Sequence, residues 1–358
     1  MSVKRTRKED AVQRRTFLAG AAVAGLSVRS TAASGSTGPA QHPPDPAAYT
    51  ATTARLRSRY WIEEPGRLLP VVAEHVRNGA RLLAEGPEGP HYGAIAETAL
   101  LASRIAFFDL SLRGPSVRRW QELALVTADR AGDGSLAAAV LGHMAFAPAW
   151  TGRGAEARDT LAAARERTSG GDAGPTLRSW LDAIAAEAEV RLGTPEAAFP
   201  LLDRAADTYA PPEHPGSWSA AGPPPWLDWF SAARLEGFRG AAEVAAGRSE
   251  PARASLERTL AGLPAHSHKQ RAMTLAELAA TAVGAREPQD ACRLLEEALD
   301  LVGLQGYATA VDRVRTVRAS LAPWARESFV RDVDDRLRGS GELVPGPAPR
   351  ADDAHGDD

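Results

Sequence analysis

The chain has 358 residues, 44% hydrophobic and 24% charged, enough apolar side chain for the core of one elongated or two compact domains. A net charge of −3 gives no sign of a body that grips nucleic acid by electrostatics, so no direct nucleic-acid binding is expected, and a single cysteine excludes an intrachain disulfide framework. No apolar run approaches the ~18 residues of a spanning helix, so no membrane span is expected in the mature protein.

In chain order, Lys4, Arg5, Arg7 and Lys8 make the first residues basic. Arg14-Arg15-Thr16-Phe17-Leu18 then leads into a weakly apolar run from Ala19 to Val28. That order resembles a twin-arginine export signal, with Arg14, Arg15, Phe17 and Leu18 as the signal residues. Residues 1–32 are accordingly read as a leader. Residues 33–50 are small and proline-rich and read as a disordered linker.

From Ala51 the pattern turns helical. Residues 54–62 and 68–84 form a first pair, the latter with Leu68, Leu69, Val72, Val76, Ala80 and Leu83 on one stripe. Further pairs follow at 91–112 with 115–131, 134–150 with 154–167, and 174–192 with 195–209. Thr194-Pro195 starts the last of these with a capping hydroxyl and a proline at the first helical position. Pro211 to Pro225 reads as a proline-rich loop. After it, Trp226-Leu227-Asp228-Trp229-Phe230 is expected to open a helix to about 246, paired with 250–262, and 269–284 pairs with 288–302. Helices at 307–321 and 324–338 close a helical domain spanning 51–338, about 14 helices in all, and 339–358 reads as a disordered acidic tail.

A pattern recurs along this domain. Gly152 is followed by Ala157, Leu161 and Ala164, Gly193 by Ala198, Leu202 and Ala205, and Gly247 by Ala252, Leu256 and Thr259. Ala291, Leu295 and Ala298 follow a turn where Arg286 stands in place of glycine, and Gly114 heads a weaker copy in Arg119, Leu123 and Val126. Residues at i, i+4 and i+7 share one helix face. Seven positions before these turns stand Ala145, Ala186, Gly240 and Ala279, all small. Two helices that meet small against small, with leucine filling the groove beside, make a hairpin that must stack on neighbours to bury its outer faces.

Over residues 91 to 302 these features resemble the tetratricopeptide repeat family in degenerate form. The resemblance implies an all-α, right-handed solenoid of antiparallel helical hairpins, with the first helix of each hairpin lining a concave face. Together with the Arg-Arg-x-Phe-Leu segment and the small-residue linker, it is also similar to the C-terminal sensor part of actinobacterial helix-turn-helix transcriptional regulators. Only 13 residues precede Arg14, fewer than a helix-turn-helix needs. The expectation is a relative without its own DNA-binding domain, or a reading frame that starts upstream.

The chemistry-bearing motifs are absent: no Gly-x-Ser-x-Gly elbow, no phosphate-cradling loop, no His-Glu-x-x-His and no cysteine pair. His266-Ser267-His268 reads as loop rather than metal site, and Cys292 as core. No catalytic residue, cofactor or metal is therefore expected, and an enzyme, the remote alternative, would need a site assembled from distant residues. The resemblance points instead to concave positions Trp180, Ala183, Glu187 and Val190 on one helix and Arg234, Gly237, Ala241 and Val244 on another. Trp180, Glu187 and Arg234 are the candidate contacts, with Trp229, beside Trp218 and Trp226, as part of a lid. The expected partner is a peptide, a protein or a small amphipathic ligand. The competing reading makes Trp180 a core residue and the two charges a solvated pair. The N-terminus favours export and the regulator resemblance favours the cytoplasm.

Overall fold

A computed structural model describes residues 45–85, 89, 91–168, 173–210 and 224–340. The leader at 1–32 with Arg14, Arg15, Phe17 and Leu18, most of the 33–50 linker, the loop up to 223 with Trp218, and the tail beyond Ser340 lie outside the described residues. Among the described residues the structure is all helical, with no strand.

The helices are α1 (Pro46–Arg59), α2 (Pro65–Glu85), α3 (His91–Arg104), α4 (Pro115–Arg130), α5 (Gly134–Met144), α6 (Phe146–Trp150), α7 (Gly154–Arg167), α8 (Pro175–Arg191) and α9 (Ala198–Thr208). There follow α10 (Ala232–Ala245), α11 (Ser249–Gly262), α12 (His268–Gly284), α13 (Pro288–Gln305), α14 (Ala308–Ser320) and α15 (Ser328–Ser340). α5 and α6 run on from each other, parted only at Ala145.

Local chemistry explains where these helices start and stop. Asp45 accepts from the Ala48 amide at 3.0 Å and Asp133 from the Leu136 amide at 2.8 Å, capping α1 and α5. Proline occupies the first turn of α1, α4, α8 and α13, where its missing N–H costs nothing. One stop turn occurs five times. Gly132, Gly152, Gly193 and Gly247 take φ of 70, 74, 80 and 72°, and Arg286 takes 62°. In each case the following amide reaches back five residues, as Thr194 does to the Glu189 carbonyl at 2.9 Å and Glu287 to the Ala282 carbonyl at 2.9 Å. Glycine holds this left-handed position without strain, whereas Arg286 bears a Cβ penalty. Arg286→Gly is expected to stabilise the chain by about 1 kcal/mol, read as a higher urea midpoint at unchanged slope.

Each helix packs on the next: α3 on α4, α5 on α7, α8 on α9, α10 on α11 and α12 on α13. The first members also touch in series, α3, α5, α8, α10, α12 and α14. The alanines and leucines of the four clear triplets are buried, as are Thr259 and the small partners Ala145, Ala186, Gly240 and Ala279. The reason for smallness is direct at Gly240, where an added Cβ would stand 2.6 Å from Leu256 Cγ.

Four expectations are corrected. Helix α1 begins at Pro46, inside the segment assigned to the linker, because Asp45 caps it. Trp226 to Phe230 form turns rather than a helix start, and α10 begins at Ala232 behind Ser231, whose hydroxyl accepts from the Arg234 amide. Helix α15 runs from Ser328 to Ser340, past the boundary drawn at 338, and Ala322–Trp324 before it is a separate short 3-10 turn. The weak copy after Gly114 is out of register: Arg119 is exposed, and Val117, Gln121, Ala124 and Ala128 turn inward instead. The shift arises because Gly114 directly precedes Pro115, the first residue of α4, at φ 129°, whereas Gly152, Gly247 and Arg286 stand two residues before their helices in the left-handed stop turn.

The end of α3 widens into a π-helical turn at Ile105–Asp109, where distant parts of the chain come together. The Lys269 ammonium, on α12, donates to Asp109 Oδ2 at 2.8 Å and to the Tyr60 carbonyl at 3.2 Å. Thr309, on α14, donates to the Phe108 carbonyl at 2.7 Å, and Gln305 donates to the Trp61 carbonyl at 2.6 Å. The Trp61 indole in turn donates to Asp228 at 2.8 Å. The segment after α1 and the turn after α3 therefore meet α12, the end of α13 and α14 around a common interior.

Candidate ligand cavity

The series of first helices lines a cavity of about 690 Å³. α8 contributes Trp180, Ile184, Glu187 and Val190; α10 contributes Arg234, Gly237, Ala241 and Val244; α12 and α14 supply the facing wall. Trp229, from the loop before α10, stands beside them and is held to α12 by Gln270, whose amide donates to the Trp229 carbonyl at 3.2 Å. Thus Trp180, Glu187, Arg234 and Trp229 face one space, as do four of the five other concave positions named from the sequence pattern, and only Ala183 is buried elsewhere. Of the proposed lid, Trp229 lines the cavity, while Trp226 is buried in the core.

Aromatic rings form one side. Trp180 lies 4.9 Å from the His143 ring and 5.8 Å from Trp229, and Phe146 and Trp150 continue the wall beside Phe108. Trp180 can lie flat against α5 because Gly142 is there: a Cβ at that position would fall 2.5 Å from the ring. Trp180 is 2% exposed, so it is core and cavity wall at once.

The charges are arranged unevenly. Glu187 pairs with Arg191 one turn along its own helix at 3.4 Å, and not with Arg234. Glu277 accepts from Arg313 at 2.6 Å, and Lys269 is paired with Asp109. Burial raises the Asp109 carboxyl and lowers the Lys269 ammonium, and their mutual attraction opposes both shifts. Burial, with the charge of Arg104 adding to it, pushes His143 down to about 3, and its Nδ1 donates to the Ala139 carbonyl at 2.9 Å. His143 is therefore neutral at physiological pH. Desolvation pushes the Tyr307 hydroxyl up to about 12.

Two guanidinium groups in the wall have no ion-pair partner among the described residues. Arg104, 6% exposed, lies over the Trp229 ring at 4.1 Å and the Tyr60 ring at 4.8 Å, and Arg234 lies over Phe238 at 5.1 Å. No cluster of three or more potential metal ligands exists among the described residues.

Sequence reasoning missed Arg104, Tyr60, His143, Lys269 and Tyr307. The same count that reached Trp180 and Arg234 would have reached Phe146 from Gly152, and Met273, Ala280 and Val283 from Arg286, all of which line the cavity. Arg104 and Lys269 fall outside that count, and their place depends on the π turn. Compared with family models and with curated proteins, the chain matches none.

Proposed function

We propose that this chain is a non-catalytic, tetratricopeptide-like module: a right-handed solenoid of helical hairpins whose concave face holds a small amphipathic ligand, or a short segment of a peptide or protein partner. The reading is carried by one observation, the 690 Å³ cavity walled by the first helix of successive pairs. That volume lies within the ~300–1,000 Å³ range of small-molecule sites, and its wall joins an aromatic and aliphatic side to a set of charged and polar groups. The carboxylates in its lining, Glu187 and Glu277, are paired with Arg191 and Arg313, and Lys269 and Tyr60 are both engaged with Asp109 behind the wall, which supports binding over catalysis. In this reading the chain is a ligand sensor related to the actinobacterial regulators.

The test is native mass spectrometry of the full chain purified from an actinobacterial host, beside Ala241→Trp, which fills the cavity from α10. The expected result is a bound small mass on the parent chain that the variant lacks. Identical masses for the two, with the variant folded, would sink the reading.

The Arg14-Arg15-Thr16-Phe17-Leu18 segment favours a second reading, an envelope binding or scaffold protein exported folded. Cell fractionation and intact mass in hosts with and without a twin-arginine translocase separate the two. A shortened form found outside only when the translocase works supports export, and full-length protein inside both hosts supports an intracellular sensor.

A further inference from the structure

The cavity wall is short of hydrogen-bond acceptors. Eight buried side-chain atoms of the described residues have no partner, and three of them belong to residues that line the cavity: the indole nitrogens of Trp150 and Trp229 and Nε of Arg313. All three are N–H donors. The unpartnered acceptors in that set, Glu243 Oε2 and Gln305 Oε1, belong to residues outside the lining. Arg104 adds a guanidinium with five donors, nine-tenths buried, and no hydrogen-bond acceptor of the described residues reaches it.

The surrounding carboxylates do not meet this demand. Asp109 and Asp228 lie close enough to feel the Arg104 charge. Neither comes within ion-pair distance, and each is held elsewhere, Asp109 by Lys269 and Tyr60 and Asp228 by the Trp61 indole. Glu187 and Glu277, the carboxylates in the lining, are paired with Arg191 and Arg313. A buried polar group without a partner costs free energy, so a wall with this pattern is completed by a ligand that brings acceptors. A guanidinium with its face against aromatic rings presents its donors edge-on, which suits the two oxygens of an oxyanion.

Resting on the cavity reading above, we propose that the ligand is a small organic acid, its oxyanion head seated on Arg104 beside Trp229 and its apolar body against Trp150, Trp180 and Phe146. Arg234, half-buried and unpaired, faces the same space and provides the second attractive charge.

A matched pair of fluorescent probes tests this on the full chain. 1-Anilinonaphthalene-8-sulfonate carries a sulfonate, and N-phenyl-1-naphthylamine has the same rings without it. The parent chain is expected to bind the sulfonate probe about tenfold or more tightly than the neutral one, and each probe should displace the other. Arg104→Gln should erase most of that preference while leaving the neutral probe within about twofold. Circular dichroism and the melting curve report whether that variant folds. Arg104→Lys, which keeps the charge and loses the fork, and Arg234→Gln provide the same readout, each with a partial loss of preference. Equal affinity for the two probes, or a preference that survives these substitutions, overturns the organic-acid inference and leaves the cavity reading standing. Failure of both probes to bind overturns the cavity reading and this inference together.

Discussion

Lys269→Met is expected to destabilise the chain by about 3–5 kcal/mol, because it strands the buried Asp109 carboxylate. Few contacts are as long-range: the pair joins α12 to the π turn after α3, 160 residues apart in sequence. What remains to Asp109 in the variant is the Tyr60 hydroxyl, 3.3 Å away. Asp109→Ala should cost a similar amount, since it leaves a buried ammonium without its counter-ion. Replacing both partners by apolar residues should recover much of the loss, because the desolvation of both charges is then avoided. Urea unfolding of the two single variants and the double variant measures all three.

The pH dependence of the Lys269→Met variant has a fixed sign. Burial already raises the Asp109 carboxyl, and removal of the ammonium that opposed this raises it further. A carboxyl raised in the folded state holds its proton there more tightly than in the unfolded chain, so stability falls as pH rises from the unfolded value to the folded one. The penalty should be smaller at pH 5 than at pH 8. An equal penalty at both would show that Asp109 stays ionised without its partner.

The second large effect is at the triplets. Leu202→Ala should cost about 2–5 kcal/mol, the loss of a side chain with no exposed surface plus the hole it leaves. Leu304, 64% exposed on α13, is the matched control, and its replacement by alanine should change stability by less than about 0.5 kcal/mol. A small loss at Leu202 would mean that α9 collapses onto α8 to fill the space, against the close approach that Ala186 and Ala198 provide.

What could be read from the sequence was what is local. Ala157, Leu161 and Ala164, and their counterparts after Gly193, Gly247 and Arg286, are buried because residues four and seven apart share a helix face, whatever lies beyond. The turns were equally plain, since only glycine holds a left-handed position without strain, and Arg286 shows the same geometry imposed on a residue that resists it. Trp180, Glu187 and Arg234 could be placed on the inner faces by counting back from those turns. Their neighbours could not. Glu187 was set against Arg234, but an arginine four residues along its own helix is the nearer partner.

The interior charges were hidden for a different reason. Nothing in the residues near Arg104 or Lys269 marks them as buried, and an arginine at the end of a helix normally reads as a solvated cap. Their burial depends on the π-helical turn at Ile105–Asp109, on the meeting of α12 and α14 with that turn, and on the rings of Tyr60 and Trp229. Each is a consequence of how the pairs stack, and stacking is set by long-range packing that no short window contains.

Hydrogen–deuterium exchange of the full chain, with and without saturating N-phenyl-1-naphthylamine, tests most directly the claim that successive first helices wall a single ligand cavity. The account predicts slower exchange in α8, α10, α12 and α14 and at the end of α3, with α4, α7, α9 and α13 unchanged. Protection confined to the second helices, or none in any helix at saturation, would contradict it.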